Sequence, residues 1–289
     1  MTSLAAENPV SVTAFWVLAA RYADAIGRHP VGNDTYAARF MDDEARAVAQ
    51  RFASLKRPNA SFPVRHRIID DMLRRELDED RGRRVAVIGS GFDSRPFRLH
   101  GGRWVELDEP ALLRHKEARL PVSEAPNELV RVPIRFAEES LEEKLRPFAT
   151  DEHAIVVLEG VIGYLTDTDR ETLLTTLGRL FPSHALICDL LTRTFLRRYG
   201  RKLVRVLAEL GAPFASSDDA PEALFAALGY RVLERVSVVQ RGVELGARGA
   251  PPALQPAASP GRWPGCTAAR ALSGPPSGFS DKSDGRTPA

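Results

Sequence analysis

Apolar residues recur at helical spacing through the first eighty residues of the chain. This spacing predicts amphipathic helices at residues 12–26, 42–53 and 64–77. Pro58 and Pro63 lie between the second and third of these segments, where proline commonly interrupts a helix. We therefore predict that residues 1–80 form an N-terminal helical cap.

The pattern changes at residue 84, where short apolar and β-branched runs begin to alternate with helical segments. The predicted strands are 84–88, 104–108, 129–134, 154–158 and 185–189. The predicted helices between them are 111–120, 141–148 and 169–180. Such alternation is typical of right-handed βαβ units, so we predict a Rossmann-like, mostly parallel α/β core over residues 81–240. Ligands bind such sheets at the carboxyl ends of the strands, which directs attention to the residues after each strand.

The end of the chain has a different composition, with 8 prolines and 7 glycines among the 44 residues from Gly246 to Ala289. This content exceeds the roughly 25–30% proline plus glycine that is typical of low-complexity segments. Large apolar side chains are few, so the segment buries too little surface to offset its ordering entropy. We predict that residues 241–289 form a disordered tail.

The overall composition is that of a soluble globular protein, with 44% hydrophobic and 27% charged residues. The 40 basic and 38 acidic residues are nearly balanced, which argues against a dedicated nucleic-acid or anionic-membrane surface. For Cys188 and Cys266, two unpaired thiols are favoured over a disulfide. The first residues lack the basic start and cleavage site of a secretory leader. We expect a cytoplasmic protein with no nucleic-acid or membrane partner and no metal site.

A glycine-rich bend follows the first predicted strand, in the sequence GSGFDS at residues 89–94. Gly89 and Gly91 would let the backbone turn tightly and approach a nucleotide closely. Asp108 ends the second predicted strand, and a carboxylate there can accept hydrogen bonds from the ribose hydroxyls of an adenosine. Glu106 points to the same side of the strand, and either acid could instead cap the next helix. Asp108 is favoured for the ribose because it stands at the end of the strand.

The bend favours S-adenosylmethionine over a dinucleotide. A dinucleotide motif has a third glycine where Ser94 stands, and Pro96 shortens or delays any helix behind the bend. The loop therefore suits an adenosine without a pyrophosphate. An NAD-dependent oxidoreductase is the alternative enzyme class.

Five sequence blocks occur in order along the chain. They are TYAARFMDD (35–43), VRHRIIDD (64–71), GSGFDSR (89–95) followed by FRL (97–99), VELDEP (105–110) with Lys116 downstream, and LEGVIGYL (158–165). Together they resemble the leucine carboxyl methyltransferase-like family of S-adenosylmethionine-dependent O-methyltransferases, over roughly residues 34–236. The resemblance implies a class I methyltransferase fold, S-adenosylmethionine as the cofactor and methyl transfer to oxygen.

The resemblance also implies roles for particular residues. Arg65 matches the arginine that meets the methionine carboxylate of the cofactor, and a guanidinium suits a carboxylate because it donates two parallel hydrogen bonds. Glu159 could accept from the cofactor's ammonium group, and Asp93 belongs to the family's glycine loop. Tyr164 is a candidate on the acceptor side, although it could equally serve packing.

Two of these assignments have structural alternatives. Asp93 and Arg95 could pair with each other simply to fix the loop. Arg65 could form a surface ion pair with Asp70 or Asp71, and this would be the favoured interpretation without the family resemblance.

Two departures from the family pattern bear on activity. The family has an aspartate after the third strand, near the adenine amino group, where this chain has Arg135. Residues 230–236 can form a sixth strand, but nothing after Gly246 resembles the closing antiparallel strand. A degenerate cofactor-binding protein without turnover is therefore a second alternative. The favoured function is methyl transfer to a carboxyl or hydroxyl group of a small metabolite, with a protein C-terminal carboxylate less favoured, and no catalytic base is identified.

Overall fold

The computed structural model describes residues 9–198, 200–215, 222–247 and 266–273. Within them, one mixed sheet has the strand order β3-β2-β1-β4-β5-β7-β6. Its strands are β1 (Arg84–Ile88), β2 (Arg103–Asp108), β3 (Glu128–Pro133), β4 (Ala154–Leu158), β5 (His184–Leu191), β6 (Tyr230–Ser237) and β7 (Cys266–Ser273). Strands β1 to β5 pair in parallel, whereas β7 is antiparallel to both β5 and β6. The predicted mostly parallel α/β fold is confirmed.

Helices cover the sheet and connect its strands. The α-helices of the described residues are α1 (Pro9–Ala25), α2 (Asp43–Phe52), α3 (Lys56–Glu79), α4 (Arg95–Arg98), α5 (Pro110–Glu117), α6 (Leu141–Leu145), α7 (Asp167–Leu180), α8 (Arg193–Arg198), α9 (Arg201–Glu209), α10 (Glu222–Ala227) and α11 (Val238–Glu244). Short 3-10 helices lie at Thr35–Phe40, Val122–Glu124, Arg146–Phe148 and Ile162–Tyr164.

The strands alternate their side chains between two buried cores. On β1, Val85 and Val87 join Phe15 and Ile69 of the N-terminal helices in one hydrophobic cluster. Ala86 and Ile88 face the opposite cluster, which includes side chains of α7. Because both faces of the central strands are buried, these strands are continuously apolar instead of alternating, as the sequence pattern indicated. Helices α1 to α3 thus cover one face of the sheet, while the division of the chain at residues 80 and 240 stays a prediction.

Helix α3 begins earlier than the sequence indicated. It starts at Lys56 and contains both Pro58 and Pro63, so the prediction that these prolines separate two segments is wrong. Pro58 is the third residue of the helix, where a backbone N–H has no intrahelical partner to lose. Pro63 removes one helical hydrogen bond, but the residues that follow it are buried against the sheet, and packing contributes more to helix stability than local propensity.

The expectation that nothing after Gly246 closes the sheet is wrong. Residues Cys266–Ser273 form β7 between β5 and β6, inside the segment predicted to be a disordered tail. This strand contains small buried residues, Ala268, Ala269 and Ala271, so its composition carries little hydrophobic signal. Its order comes from backbone pairing on both sides. The predicted disorder of 248–265 and 274–289 falls outside the described residues.

A buried carboxylate ties β7 to α3. Glu76, 2% exposed, accepts from Arg270 of β7 through Oε1 and from Arg83 Nη1 through Oε2 at 2.5 Å. The Nε2 atom of His153 lies 3.4 Å from the same Oε2. Burial alone would raise the pKa of Glu76, but His153, Arg270 and Arg83 lower it below its usual value. The carboxylate is therefore the anion that offsets the positive charge at this contact.

We predict that Glu76→Gln lowers the free energy of unfolding by about 2 kcal/mol at pH 7, because it leaves partly buried arginines without a counter-charge. Urea denaturation measures this. Because the pKa of Glu76 is lowered on folding, its contribution is present above the ordinary carboxyl pKa of 4.5 and is lost as the pH falls below it. Glu79→Gln is the matched control, because Glu79 is exposed and pairs with the same Arg83, and it should cost less than about 0.5 kcal/mol. Equal losses in the two variants would contradict the assignment.

Candidate functional site

The glycine bend after β1 has the geometry that only glycine adopts easily. Gly89 and Gly91 have φ angles of 68° and 49°, and a Cβ on Gly89 would approach Val161 Cγ2 to 2.7 Å. The backbone N–H groups of Gly89 and Ser90 donate to the carbonyl oxygen of Leu107 at 2.9 and 3.0 Å. The bend is therefore held against the end of β2 and against the segment after β4.

Asp108 at the end of β2 holds this bend directly. Its Oδ2 accepts from the Gly91 N–H at 2.6 Å and its Oδ1 from the Glu109 N–H at 2.7 Å. The side chain is 8% exposed. Burial raises the pKa of Asp108 to about 6, although the two backbone donors oppose the rise. A carboxylate has about four acceptor positions, so these two hydrogen bonds leave capacity for hydroxyl donors.

Glu106, the other acid of β2, is used inside the protein. It is fully buried, and its oxygens accept from Lys116 Nζ at 2.8 Å and from Arg131 Nε at 3.0 Å. Two cations of the protein therefore occupy the Glu106 carboxylate. Of the two candidates, Asp108 alone lies at the glycine bend.

Asp93 pairs with Arg95 in the structure. Arg95 Nη1 donates to Asp93 Oδ2 at 2.7 Å, and the Arg95 backbone N–H donates to Asp93 Oδ1 at 2.8 Å. The loop-fixing alternative is therefore what the structure shows, and direct contact of Asp93 with a ligand stays a prediction. Arg95 is fully buried and also contacts Asp70 Oδ1 at 2.6 Å and Glu159 Oε2 at 2.8 Å.

Arg65 and Glu159 form an ion pair across the site. Arg65 Nε donates to Glu159 Oε1 at 3.1 Å, and Arg65 is 9% exposed. Helix α3 turns this side chain toward Glu159 and Asp189, near the ends of β4 and β5, and away from the alternative surface partners Asp70 and Asp71. Burial alone would raise the pKa of Glu159, but Arg95 and Arg65 hold it well below its usual range. The roles of Arg65 and Glu159 toward a ligand stay predictions.

Tyr164 lies at the edge of the same region. It ends the 3-10 helix Ile162–Tyr164, and its ring centroid is 5.4 Å from that of Phe214. Burial raises the pKa of the Tyr164 hydroxyl, opposed in part by a hydrogen bond with Thr13 of α1. The group is neutral at pH 7, so it can donate a hydrogen bond but is poorly suited to act as a base.

Arg135, the departure after β3, points into solvent. Its side chain is 59% exposed, and its Nε lies 3.9 Å from Glu138 Oε2. Phe136 beside it is 43% exposed, and its backbone N–H donates to Glu109 Oε1 at 3.3 Å. The altered adenine contact expected at Arg135 stays a prediction.

The six residues predicted to bind a cofactor lie in one connected cluster. Asp108 contacts Gly91, Arg95 links Asp93 to Glu159, and Glu159 contacts Arg65. Sequence reasoning missed Asp189 of β5, whose Oδ2 lies 2.8 Å from Arg65 Nη1. The signal was present, because an aspartate near the end of an apolar strand rarely stays buried without a partner.

Comparison with known proteins identifies the family. A family model described as leucine carboxyl methyltransferase matches residues 14–178, more than half of the chain. The chain belongs to this family.

Two relatives agree with the family assignment. A Parafrankia protein described as an S-adenosyl-L-methionine-dependent methyltransferase is 35% identical over 131 residues, which cover 42% of this chain and 41% of the relative. The chain thus spans less than half of that relative. A Streptomyces coelicolor protein of the same description is 28% identical over 215 residues, covering 67% of this chain and 70% of the relative.

A solved structure supports the fold. The crystal structure of a protein from Thermobifida fusca, described as a methyltransferase, aligns with a TM-score of 0.59 at 20% identity. It covers 88% of this chain and 94% of the other. This likeness and the strand order confirm the class I methyltransferase fold, and S-adenosylmethionine is the cofactor named for the family relatives. Among the described helices, none is long and apolar enough to cross a membrane.

We predict that the affinity for S-adenosylhomocysteine falls about tenfold between pH 7.5 and pH 5. Asp108 has a pKa of about 6, so it is mostly ionised at pH 7.5 and mostly protonated at pH 5, where it accepts ribose hydroxyls poorly. Calorimetric titration at both pH values measures the change.

The control for this titration is Asp108→Asn, which should bind weakly and with the same affinity at both pH values. Asp108→Ala should weaken binding at least tenfold at pH 7.5, because a charge-assisted hydrogen bond is lost. A flat wild-type profile together with unchanged affinity in the alanine variant would show that Asp108 does not hold the ribose.

Proposed function

We propose that this chain is an S-adenosylmethionine-dependent methyltransferase that acts on a carboxyl or hydroxyl oxygen of a small metabolite. The observation that carries the proposal is the placement of two complementary features around one glycine bend. Asp108, a buried carboxylate that accepts from two backbone N–H groups, lies at one side, and the Arg65–Glu159 ion pair lies at the other. These features match the ribose and the zwitterionic methionine end of the cofactor.

The residues present fit the cofactor's chemistry. Ribose hydroxyl groups would donate to Asp108, which has acceptor capacity beyond its two backbone donors. The carboxylate of the methionine end would meet Arg65, and its ammonium would meet Glu159, which is ionised at neutral pH because its pKa is held low. S-Adenosylmethionine, when bound, supplies a methyl group that its sulfonium already activates.

The chain's part in the reaction is then alignment and exclusion of water. In-line transfer needs the acceptor oxygen about 3–3.5 Å from the methyl carbon, so most of the rate gain comes from orientation. A carboxylate acceptor is ionised at pH 7 and needs no base. Tyr164, neutral at this pH, would donate a hydrogen bond that orients such an acceptor. A hydroxyl acceptor would need a base, and the geometry assigns none, so we favour a carboxylate acceptor.

The structure weakens the case for an NAD-dependent oxidoreductase. The helix behind the glycine bend, α4, has only four residues, whereas dinucleotide sites place the pyrophosphate at the start of a full helix. Ser94 stands where the third glycine would lie, and its hydroxyl donates to Asp34 Oδ1 at 2.6 Å. This side chain fills the space that close helix packing would need.

One of the two arguments for a degenerate cofactor-binding protein without turnover no longer holds. Strand β7 closes the sheet, so the sheet is complete at the edge that was expected to be missing. Arg135 is the reason that stands. Cytoplasmic location, a small-molecule acceptor and the lack of nucleic-acid or membrane partners stay predictions from the sequence.

We predict that the protein binds S-adenosylhomocysteine in calorimetric titration and shows no heat of binding with NAD. In parallel, labelled S-adenosylmethionine and a panel of carboxylic acids and phenols should give labelled ester or ether product with at least one acceptor. Arg65→Met should abolish this transfer, because it removes the cation at the methionine end.

The outcomes of these assays separate the three interpretations. Binding of NAD alone would contradict the methyltransferase and favour the oxidoreductase. Binding of S-adenosylhomocysteine without transfer to any acceptor of the panel would favour the degenerate protein.

A further inference from the structure

Asp189 connects the end of β5 to two parts of the proposed cofactor site. The side chain is 6% exposed, so it is nearly enclosed by protein. Its Oδ2 accepts from Arg65 Nη1 at 2.8 Å, and its Oδ1 accepts from the Gly160 backbone N–H at 2.5 Å. One carboxylate therefore holds both the cation of α3 and the backbone that follows β4.

The contact with Gly160 sets where the guanidinium lies. Gly160 has a φ of 72°, and a Cβ at this position would lie 3.4 Å from Arg65 Nη2. The Arg65 guanidinium thus packs against the Gly160 backbone, in space that a larger residue at position 160 would partly fill. Asp189 therefore fixes the Arg65 guanidinium relative to the Gly160 backbone, because one carboxylate oxygen accepts from each of them.

Among the described residues, Glu159 and Asp189 both pair with Arg65, and they differ in their other partners. Glu159 contacts Arg65 Nε, but it also contacts the fully buried Arg95 and lies 3.4 Å from His66 Nδ1. Among the described residues, Asp189 forms its ion pair with Arg65. If the ammonium of a bound ligand recruits Glu159, Asp189 is the partner that continues to hold the guanidinium.

We propose that Asp189 is a positioning residue, which holds Arg65 in the orientation that binds the carboxylate of the cofactor's methionine end. This inference rests on the proposed function. Asp189 acts through Arg65 and does not itself contact the ligand. Its loss should therefore weaken ligands that carry the amino-acid end and spare ligands that lack it.

The test compares two probes on the full chain. S-Adenosylhomocysteine has the amino-acid end, whereas 5′-methylthioadenosine has the same adenosine and sulfur without it. We predict that Asp189→Asn, which keeps an oxygen for the Gly160 N–H but loses the charge, weakens S-adenosylhomocysteine at least tenfold in calorimetric titration. The affinity for 5′-methylthioadenosine should change less than twofold, because Asp108 and the glycine bend are untouched.

A double-mutant cycle supplies the second readout. Arg65→Lys should weaken S-adenosylhomocysteine strongly in the wild-type background and much less in the Asp189→Asn background, because the two residues act as one unit. The exposed Asp151→Asn is the matched control for loss of an aspartate charge, and it should change neither affinity. If Asp189→Asn lowers the thermal midpoint too far for titration, Asp189→Ser at low temperature replaces it.

The outcomes distinguish this inference from the function on which it rests. If the wild type binds neither probe, the proposed function is wrong and the inference falls with it. If the wild type binds both probes and Asp189→Asn loses both equally, the residue is merely structural and the inference alone is overturned. Additive effects in the cycle would also overturn it. If the wild type binds only S-adenosylhomocysteine, the cycle decides.

Discussion

A fully buried cation organises the centre of this protein. Arg95 has no exposed surface, and carboxylates from three segments surround it: Asp70 of α3, Asp93 of the glycine bend and Glu159 after β4. Removing a guanidinium from water costs several kcal/mol, and only close pairing offsets this cost. The three segments therefore pack together only when their carboxylates contact the Arg95 guanidinium. The positions of the cap, the bend and the end of β4 are set together, so the site is specified by charge as much as by the hydrophobic cores.

Much of the fold was readable from the sequence, since local signals agreed with the tertiary structure. The residues of β1 and β4 form apolar runs bounded by glycine or polar residues, and both strands have the predicted ends. Strands that are buried on both faces are apolar at nearly every position, so their sequence pattern alone identifies them. The start of α3 and the existence of β7 were not readable. Both depend on contacts with distant segments. Packing against the sheet stabilises α3 despite Pro63, and pairing with β5 and β6 stabilises β7 despite its small alanine side chains.

The site divides in the same way. The glycines, Asp108, Arg65 and Glu159 were predicted from motif spacing and strand ends, and the structure brings them together. Their pairing with other segments could not be predicted. The position of Asp189 near a strand end indicates that it needs a partner, but Asp189 lies 124 residues from Arg65 along the chain, and nothing local in either segment indicates that the partner is Arg65. The sequence allowed Asp93 either to contact a ligand or to pair with Arg95, and the structure shows the pair with the Arg95 guanidinium.

The insertion of β7 between β5 and β6 also constrains the order of assembly. In the described sheet β5 meets β6 only through β7, and Asp189 of β5 pairs there with Ala268. During synthesis, β5 leaves the ribosome some eighty residues before β7. The edge of β5 that pairs with β7 therefore stays unpaired until β7 has been made. Pairing across such a long sequence separation is slow to form. The strand that carries Asp189 therefore reaches its final pairing late in folding, and the Arg65 contact that depends on it is completed late as well.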